Sequence, residues 1–200
     1  MKTALLLIDF QNDYFSNGKM PLEKGTEALQ KAQEAVQLAR SKQMPIIHIQ
    51  HVSTRPDATY FLPCTTGVEF HANLQPQSNR NETIIKKHYP NSFKDTTLLN
   101  YLTKNKIDHL VIAGLMTHLC IDATVRAAYD LNFTCTVLYD ACATKNLEFH
   151  NALIPASNVQ GACFATLQNL YANIISTREF IQSFGTATSA QPAKEDAAIA

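Results

Sequence analysis

Three residues whose chemistry could be joined each follow a short apolar segment. Asp9 closes Leu5-Leu6-Leu7-Ile8, Lys87 follows Thr83 to Lys86, and Cys120 stands six residues past Gly114, which ends the run His109 to Ala113. A thiol at the start of a helix and near an ammonium is expected to titrate low, because the helix dipole and the cation both favour the thiolate. Cys120 is therefore placed to be reactive. Each residue also has an ordinary explanation. A free cysteine is commonly a small buried hydrophobe, an Asp after a strand commonly caps a turn, and a lone lysine is commonly a solvated surface group. The other cysteines, at 64, 135, 142 and 163, lie in a loop, a strand, just past that strand and a helix, with no matching constellation; they are read as structural.

The elements that must position these groups alternate along the chain. Leu5 to Ile8 suits a strand buried on both faces. Thr26 is a plausible N-cap for a helix carrying Ala28, Leu29, Ala32, Ala35, Val36 and Ala39 at helical spacing, and Pro45 opens a second strand, Ile46 to Val52. Ser53 to Arg80 is rich in Thr, Pro, Asn and Gln without a sustained period, and a loop of that length in a compact domain usually has a function. A brief strand at Thr83 to Lys86, a helix beginning at Thr96 to Leu102 and a buried strand at His109 to Ala113 follow. Beyond them the pattern predicts a helix over Cys120 to Leu131, a strand over Thr134 to Leu138, a helix over Val159 to Leu170 and a last strand at Asn173 to Ile175. This alternation implies an α/β fold with a mostly parallel sheet covered by helices on both sides, whose ligands collect beyond the carboxyl ends of the strands. After Phe184 the composition turns to Gly, Ala, Thr, Ser, Gln and Pro, so a domain over 1–184 and a disordered tail over 185–200 are expected.

The totals narrow the class of partner. The 200 residues suffice for one core, and 17 basic residues balance 17 acidic ones with no long run of like charge. That leaves no electrostatic footprint for nucleic acid or a membrane surface and points to a small-molecule substrate. The apolar run after Met1-Lys2-Thr3 is too short for a signal-peptide core or a spanning helix, and five cysteines form neither a metal-type spacing nor an even disulfide set, so a cytoplasmic protein with reduced thiols is expected.

Three segments together resemble the isochorismatase-like cysteine hydrolases, a superfamily that includes nicotinamidases, carbamoylsarcosine amidases, ureidoacrylate hydrolases and streptothricin hydrolase. They are Leu5-Leu6-Leu7-Ile8-Asp9-Phe10-Gln11-Asn12-Asp13-Tyr14-Phe15, then Lys87-His88-Tyr89-Pro90-Asn91-Ser92-Phe93 with Thr96 and Leu98, then Gly114-Leu115-Met116-Thr117-His118-Leu119-Cys120 with Thr124, Arg126 and Ala127. The resemblance spans about residues 3 to 180 and implies a three-layer αβα sandwich with a six-stranded sheet in order near 3-2-1-4-5-6. It implies a catalytic triad of Asp9, Lys87 and Cys120, a cis peptide between Leu115 and Met116, and an oxyanion hole from the backbone N–H groups of Met116 and Cys120. It implies a thioester route to cleavage of an amide, carbamoyl, ureido or lactam C–N bond, without a cofactor, in a homodimer or homotetramer.

Phe10, Gln11, Phe15, Phe61 and His118 are candidates for the substrate wall, and the loop from Tyr60 to His71, with Phe61, Leu62 and Phe70, is expected to cover the pocket. Nicotinamidases carry an Asp-x-His metal group after the second strand, whereas this chain has His48-Ile49-Gln50-His51. Residues three apart on a strand face opposite sides, so no metal site is expected there. Two other readings stay open at this stage: a vinyl-ether hydrolase of the isochorismatase type, which would not need the cysteine, and a non-catalytic or thiol-sensing protein on the same fold.

Overall fold

A computed structural model of the chain describes residues 1–78 and 81–185. The apolar runs become parallel strands β1 (Thr3–Ile8), β2 (Ile46–His51), β3 (Glu82–Lys87), β4 (His109–Leu115) and β5 (Thr134–Ala143). The helices between them are α1 (Gly25–Ser41), α2 (Leu98–Lys104) and α3 (Asp122–Asp130). A hairpin, β6 (Leu147–Phe149) with β7 (Ala152–Ile154), precedes α4 (Ala156–Leu170), β8 (Asn173–Ile175) and α5 (Thr177–Gly185). The six-stranded sheet has the order β3-β2-β1-β4-β5-β8, so its sixth strand in chain order is β8, as the 3-2-1-4-5-6 expectation required once the separate hairpin is set aside.

Burial on both faces explains why the strands read as continuous apolar runs. Alternate residues of β1 serve two cores. Leu5 and Leu7 pack with Ala28, Ala32, Val36 and Phe180 of α1 and α5. Ala4, Leu6 and Ile8 pack with Leu98, Leu102, Val125 and Leu167 of α2, α3 and α4. The result is three layers, with the carboxyl ends of the parallel strands along one edge of the sheet.

Several boundaries differ from expectation. Lys24, not Thr26, caps α1, in a left-handed conformation (φ 58°) and without a side-chain cap. The helix expected from Cys120 begins instead at Asp122, because Thr117–Ile121 forms a separate wide turn. The long loop contains two single-turn helices, Thr66–Val68 and Ala72–Leu74. The hairpin was missed because three-residue strands with Phe149 and Leu153 mostly exposed give no burial alternation to read. Helix α5 was missed although Thr177, Phe180, Ile181 and Phe184 recur at helical spacing, with Phe180 buried. The tail expected over 185–200 lies, from 186 on, outside the described residues.

Candidate active site

The carboxyl ends of β1, β3 and β4 each deliver one group. Past Ile8 the chain leaves the sheet at Asp9, which adopts φ 57° while its N–H donates to Ile49 O and its carbonyl accepts from Gln11 N. Gly114 is the registered neighbour of Ile8 on β4 and has φ 152°; a Cβ there would collide with the Ile8 backbone, so only glycine lets β4 run this close to β1. The next peptide, Leu115–Met116, is cis. Residues Thr117–Ile121 then wind into a wide turn in which Leu119 N (3.1 Å) and Ile121 N (3.3 Å) both donate to Met116 O, and Cys120 is carried on this turn. The Lys87 and Cys120 segments are latched to each other, since Ser92 N donates to Thr124 Oγ1 (3.0 Å) and that hydroxyl donates to Ser92 Oγ (2.9 Å).

Lys87 is the last residue of β3, and its ammonium sits among four acceptors. Nζ lies 2.8 Å from Asp9 Oδ2, 3.1 Å from Cys120 Sγ, 3.1 Å from His51 Nδ1 and 3.2 Å from Tyr89 O. Asp9 and Lys87 have no solvent exposure and Cys120 has 4%. Lys87 Nζ pairs with Asp9 Oδ2, while Oδ1 is left without a hydrogen-bond partner. Buried carboxylate oxygens are ordinarily satisfied, and one left open near a thiol is placed to accept a proton.

The electrostatics of this cluster reverse one expectation. The Cys120 thiol is pushed up to about 12, first by burial and then by the Asp9 carboxylate, which together outweigh the lowering by Lys87. A thiolate here would be a third buried charge added to a carboxylate and ammonium that already cancel, and neither that ammonium nor the turn's dipole offsets its lost hydration. Burial pulls Lys87 down, yet the Asp9 charge, with hydrogen bonds to Asp9 and Cys120, more than restores it, so its pKa is raised and it stays an ammonium. Burial lowers His51 to about 4. The resting site therefore holds a carboxylate, an ammonium, a neutral imidazole and a neutral thiol.

Asp9, His51 and Cys120 each offer a donor atom within 4.8 Å of the others, the spacing of a cation site. The Lys87 ammonium occupies the centre of that trio, with one contact to each member, so the donors already share a cation. His48 and His51 do face opposite sides of the sheet: His48 Nε2 meets Glu82 Oε2 (2.9 Å), itself bound by Arg40 Nε (2.8 Å), while His51 meets Lys87.

The residues expected to line the pocket separate into different roles. Phe61 is buried, at φ 56°, with its N–H donating to Asp13 Oδ2 (2.6 Å) and its ring against Tyr14 (4.6 Å between centroids) and His51 (5.8 Å). Gln11 does not present its amide to a ligand. Its Oε1 accepts from His51 N (2.7 Å) and its Nε2 donates to His51 O (2.8 Å) and Val68 O (2.7 Å), which uses the group to fix the end of β2. Phe10 belongs to the core with α1. Phe15 stacks edge-on to His71 (4.6 Å) and lines a separate cavity of about 350 Å³ with Asn12, Thr59 and Gly67. His118 turns to the Thr144 hydroxyl. Within the covering loop Phe61 and Phe70 are buried and Leu62 is exposed.

Two neighbours of the cluster were not singled out from sequence, and a third, His51, was weighed only against a metal site and a core or pocket role. Tyr14 is buried and Tyr60 half-buried, and the fields of both Cys120 and Asp9 bear on their hydroxyls, which burial in the first place drives upward. His51 could have been found by counting register, since it pairs with Lys87 across β2 and β3. A further cavity, about 550 Å³, lies elsewhere, between α1, the end of β5 and α4. No helix among the described residues is long and apolar enough to cross a membrane.

Comparison with known proteins agrees with this architecture. A family model described as the isochorismatase domain matches residues 3–169. The isochorismatase family protein YddQ of Bacillus subtilis is 42% identical over 182 residues, covering 91% of this chain and all of that one. Nicotinamidase 3 of Arabidopsis thaliana is 27% identical, covering 76% of this chain and 78% of the plant protein. A crystal structure from Oleispira antarctica assigned to the isochorismatase hydrolases superimposes with a TM-score of 0.86 at 42% identity, over 90% of this chain and 96% of that one.

Proposed function

The chain belongs to the isochorismatase family, and from that premise we propose that it is a cysteine-dependent hydrolase that cleaves the C–N bond of a small amide, carbamoyl, ureido or lactam substrate through a thioester on Cys120. The observation that carries this reading is the buried contact of Lys87 Nζ with both Cys120 Sγ (3.1 Å) and Asp9 Oδ2 (2.8 Å). The relative named as a nicotinamidase supports amide chemistry. A vinyl-ether hydrolysis would leave the thiol without a task.

In this mechanism the Cys120 thiol proton passes to Asp9 as sulfur bonds to the substrate carbonyl carbon, and the carbonyl electron pair moves onto oxygen. The N–H groups of Met116 and Cys120 serve that oxyanion. Collapse breaks the C–N bond, and the proton held by Asp9 goes to the leaving nitrogen. Water then attacks the thioester with Asp9 accepting its proton, and the departing sulfur recovers a proton to restore the thiol. Lys87 remains charged throughout and balances whichever of sulfur or carboxylate is anionic. The five free cysteines accord with a reducing, cytoplasmic setting, and assembly as a homodimer or homotetramer belongs to the same proposal.

The test is release of ammonia or amine from a panel of small primary amides, carbamoyl and ureido compounds and lactams, together with peptide mass spectrometry of the quenched enzyme. Turnover with an acyl adduct confined to the Cys120 peptide, both lost in Cys120→Ala, is the expected result. Turnover that persists in Cys120→Ala sinks the proposal, as does a complete lack of turnover and adduct with every substrate class.

A further inference from the structure

The hydrogen-bond inventory of Lys87 has a feature the triad alone does not explain. An ammonium has three N–H groups and no acceptor. Those three align with His51 Nδ1 (3.1 Å), Tyr89 O (3.2 Å) and Cys120 Sγ (3.1 Å). The Asp9 carboxylate lies closer still, at 2.8 Å, so four acceptors compete for three N–H groups. An ammonium is drawn to an anion more strongly than to a neutral acceptor, so a free ammonium would turn toward Asp9 and away from a neutral thiol. Something must hold it. The Tyr89 carbonyl supplies one anchor from the backbone, and His51 supplies the other.

We propose that His51 is a positioning residue that anchors the Lys87 ammonium so that its third N–H points at Cys120 and leaves Asp9 Oδ1 open for the thiol proton. The placement follows from the fold: His51 and Lys87 are registered partners at the ends of adjacent parallel strands, so their side chains leave the same face side by side. His51 is itself held on both sides of its peptide backbone by the Gln11 amide, with Phe61 against its ring. Because Nζ can only donate, Nδ1 must carry a lone pair and the ring proton must sit on Nε2. A neutral ring suits these surroundings, in which burial and the Lys87, His88 and Arg55 charges oppose protonation and Asp9 alone favours it. This inference builds on the proposed hydrolase reading, but its predictions concern the resting protein and need no substrate.

The experiment measures alkylation of Cys120 by iodoacetamide at fixed alkaline pH, resolved by peptide mass spectrometry, in the wild type, His51→Leu and His51→Asn. Asparagine places Oδ1 where Nδ1 stood and restores an acceptor, whereas leucine fills the space without one. Cys120 in His51→Leu is expected to react about tenfold more slowly than in the wild type, the equivalent of about one pK unit less thiolate, and His51→Asn to stay within about threefold of the wild type. The exposed Cys64 serves as the internal control and should not change. Equal Cys120 rates in wild type and His51→Leu overturn the proposal, and so does His51→Asn reacting as slowly as His51→Leu. Should a variant fail to fold, long-range ¹H–¹⁵N spectra of the wild type decide the matter: a neutral ring protonated on Nε2 near neutral pH is required, and a proton on Nδ1 refutes it. Failure of the substrate panel with these results intact would leave the positioning role standing and remove only the assigned reaction.

Discussion

Replacing Lys87 with methionine removes the ammonium while keeping most of the side-chain volume, so the variant isolates a charge rather than opening a cavity. The carboxylate left behind has no solvent exposure and loses the cation paired with Oδ2. Removing one partner of a buried pair costs about 3–5 kcal/mol, and the absence of solvent around Asp9 puts it at the upper end. For a domain of this size that corresponds to a fall of roughly 10–20 °C in melting temperature, at about 2–4 °C per kcal/mol. The variant can reduce the penalty only by folding with Asp9 protonated. Its folded state then binds a proton that the unfolded state releases, so its stability falls by about 1.4 kcal/mol for each pH unit above the ordinary carboxylate range, until proton uptake ceases. Urea denaturation at about pH 5 and about pH 8 reads this directly: Lys87→Met should lie much closer to wild type at the lower pH. The double variant Asp9→Asn/Lys87→Met, which removes both charges, should recover most of the loss at about pH 8. A single variant as stable as wild type at both pH values, or a double variant no better than the single, would refute the reading of Asp9 and Lys87 as a desolvated pair.

Other outcomes follow from the same geometry. Cys64 should be alkylated long before Cys120 at neutral pH, because Cys64 is exposed whereas Cys120 is buried and its thiol is pushed up to about 12; peptide-resolved labelling kinetics check this. Gly114→Ala should fail to fold stably or lose more than about 3 kcal/mol, since the added Cβ meets the Ile8 backbone at a φ that L-residues rarely adopt; thermal melting reads it. Glu82→Gln breaks a buried cluster with Arg40 and His48 and should cost about 3 kcal/mol at neutral pH. Burial raises the Glu82 carboxyl, but hydrogen bonds from Arg40, Gln77 N and His48 outweigh it and leave its pKa lowered. The native cluster's stabilisation is therefore present above the ordinary Glu range and lost as pH falls through the folded-state value, so the gap between wild type and Glu82→Gln should narrow on acidification. A gap that widened would contradict this assignment.

The sequence carried the parts of this structure that depend on burial and left open those that depend on register. Leu5 to Ile8 and His109 to Ala113 could be read as buried strands because both of their faces are apolar. Sheet order came from family resemblance, since periodicity does not say which strands adjoin. Asp9, Lys87 and Cys120 were legible because each ends or follows such a run. Gln11 and His118, expected in the pocket wall, have hydrogen-bond partners forty and twenty-six positions away, His51 and Thr144, which no local pattern shows. His51 reads from sequence as a poor metal ligand and an ordinary core or pocket histidine, since its partnership with Lys87 emerges only when β2 and β3 are aligned residue by residue. The direction of the Cys120 shift was misjudged for a related reason: the dipole and the cation are visible in sequence, but the depth of burial that outweighs them is not.

That reversal bears on the choice between an enzyme and a thiol sensor. A sensing cysteine needs an accessible, low-pKa thiolate and a second thiol placed to resolve its oxidised form. Cys120 is 4% exposed and protonated at rest. The same properties suit a nucleophile that ionises only within the reaction step. In the proposed mechanism the carboxylate and ammonium cancel before attack; as the proton leaves sulfur for Asp9 and the charge passes onto the substrate oxygen, the site would again hold one cation and one anion, with the carboxyl neutral. No stage of that route requires two uncompensated buried charges. A permanently ionised Cys120 would instead add a third buried charge in every resting molecule. The open Oδ1 of Asp9 suits this proposal, because a base already saturated with donors could not take the proton at that moment.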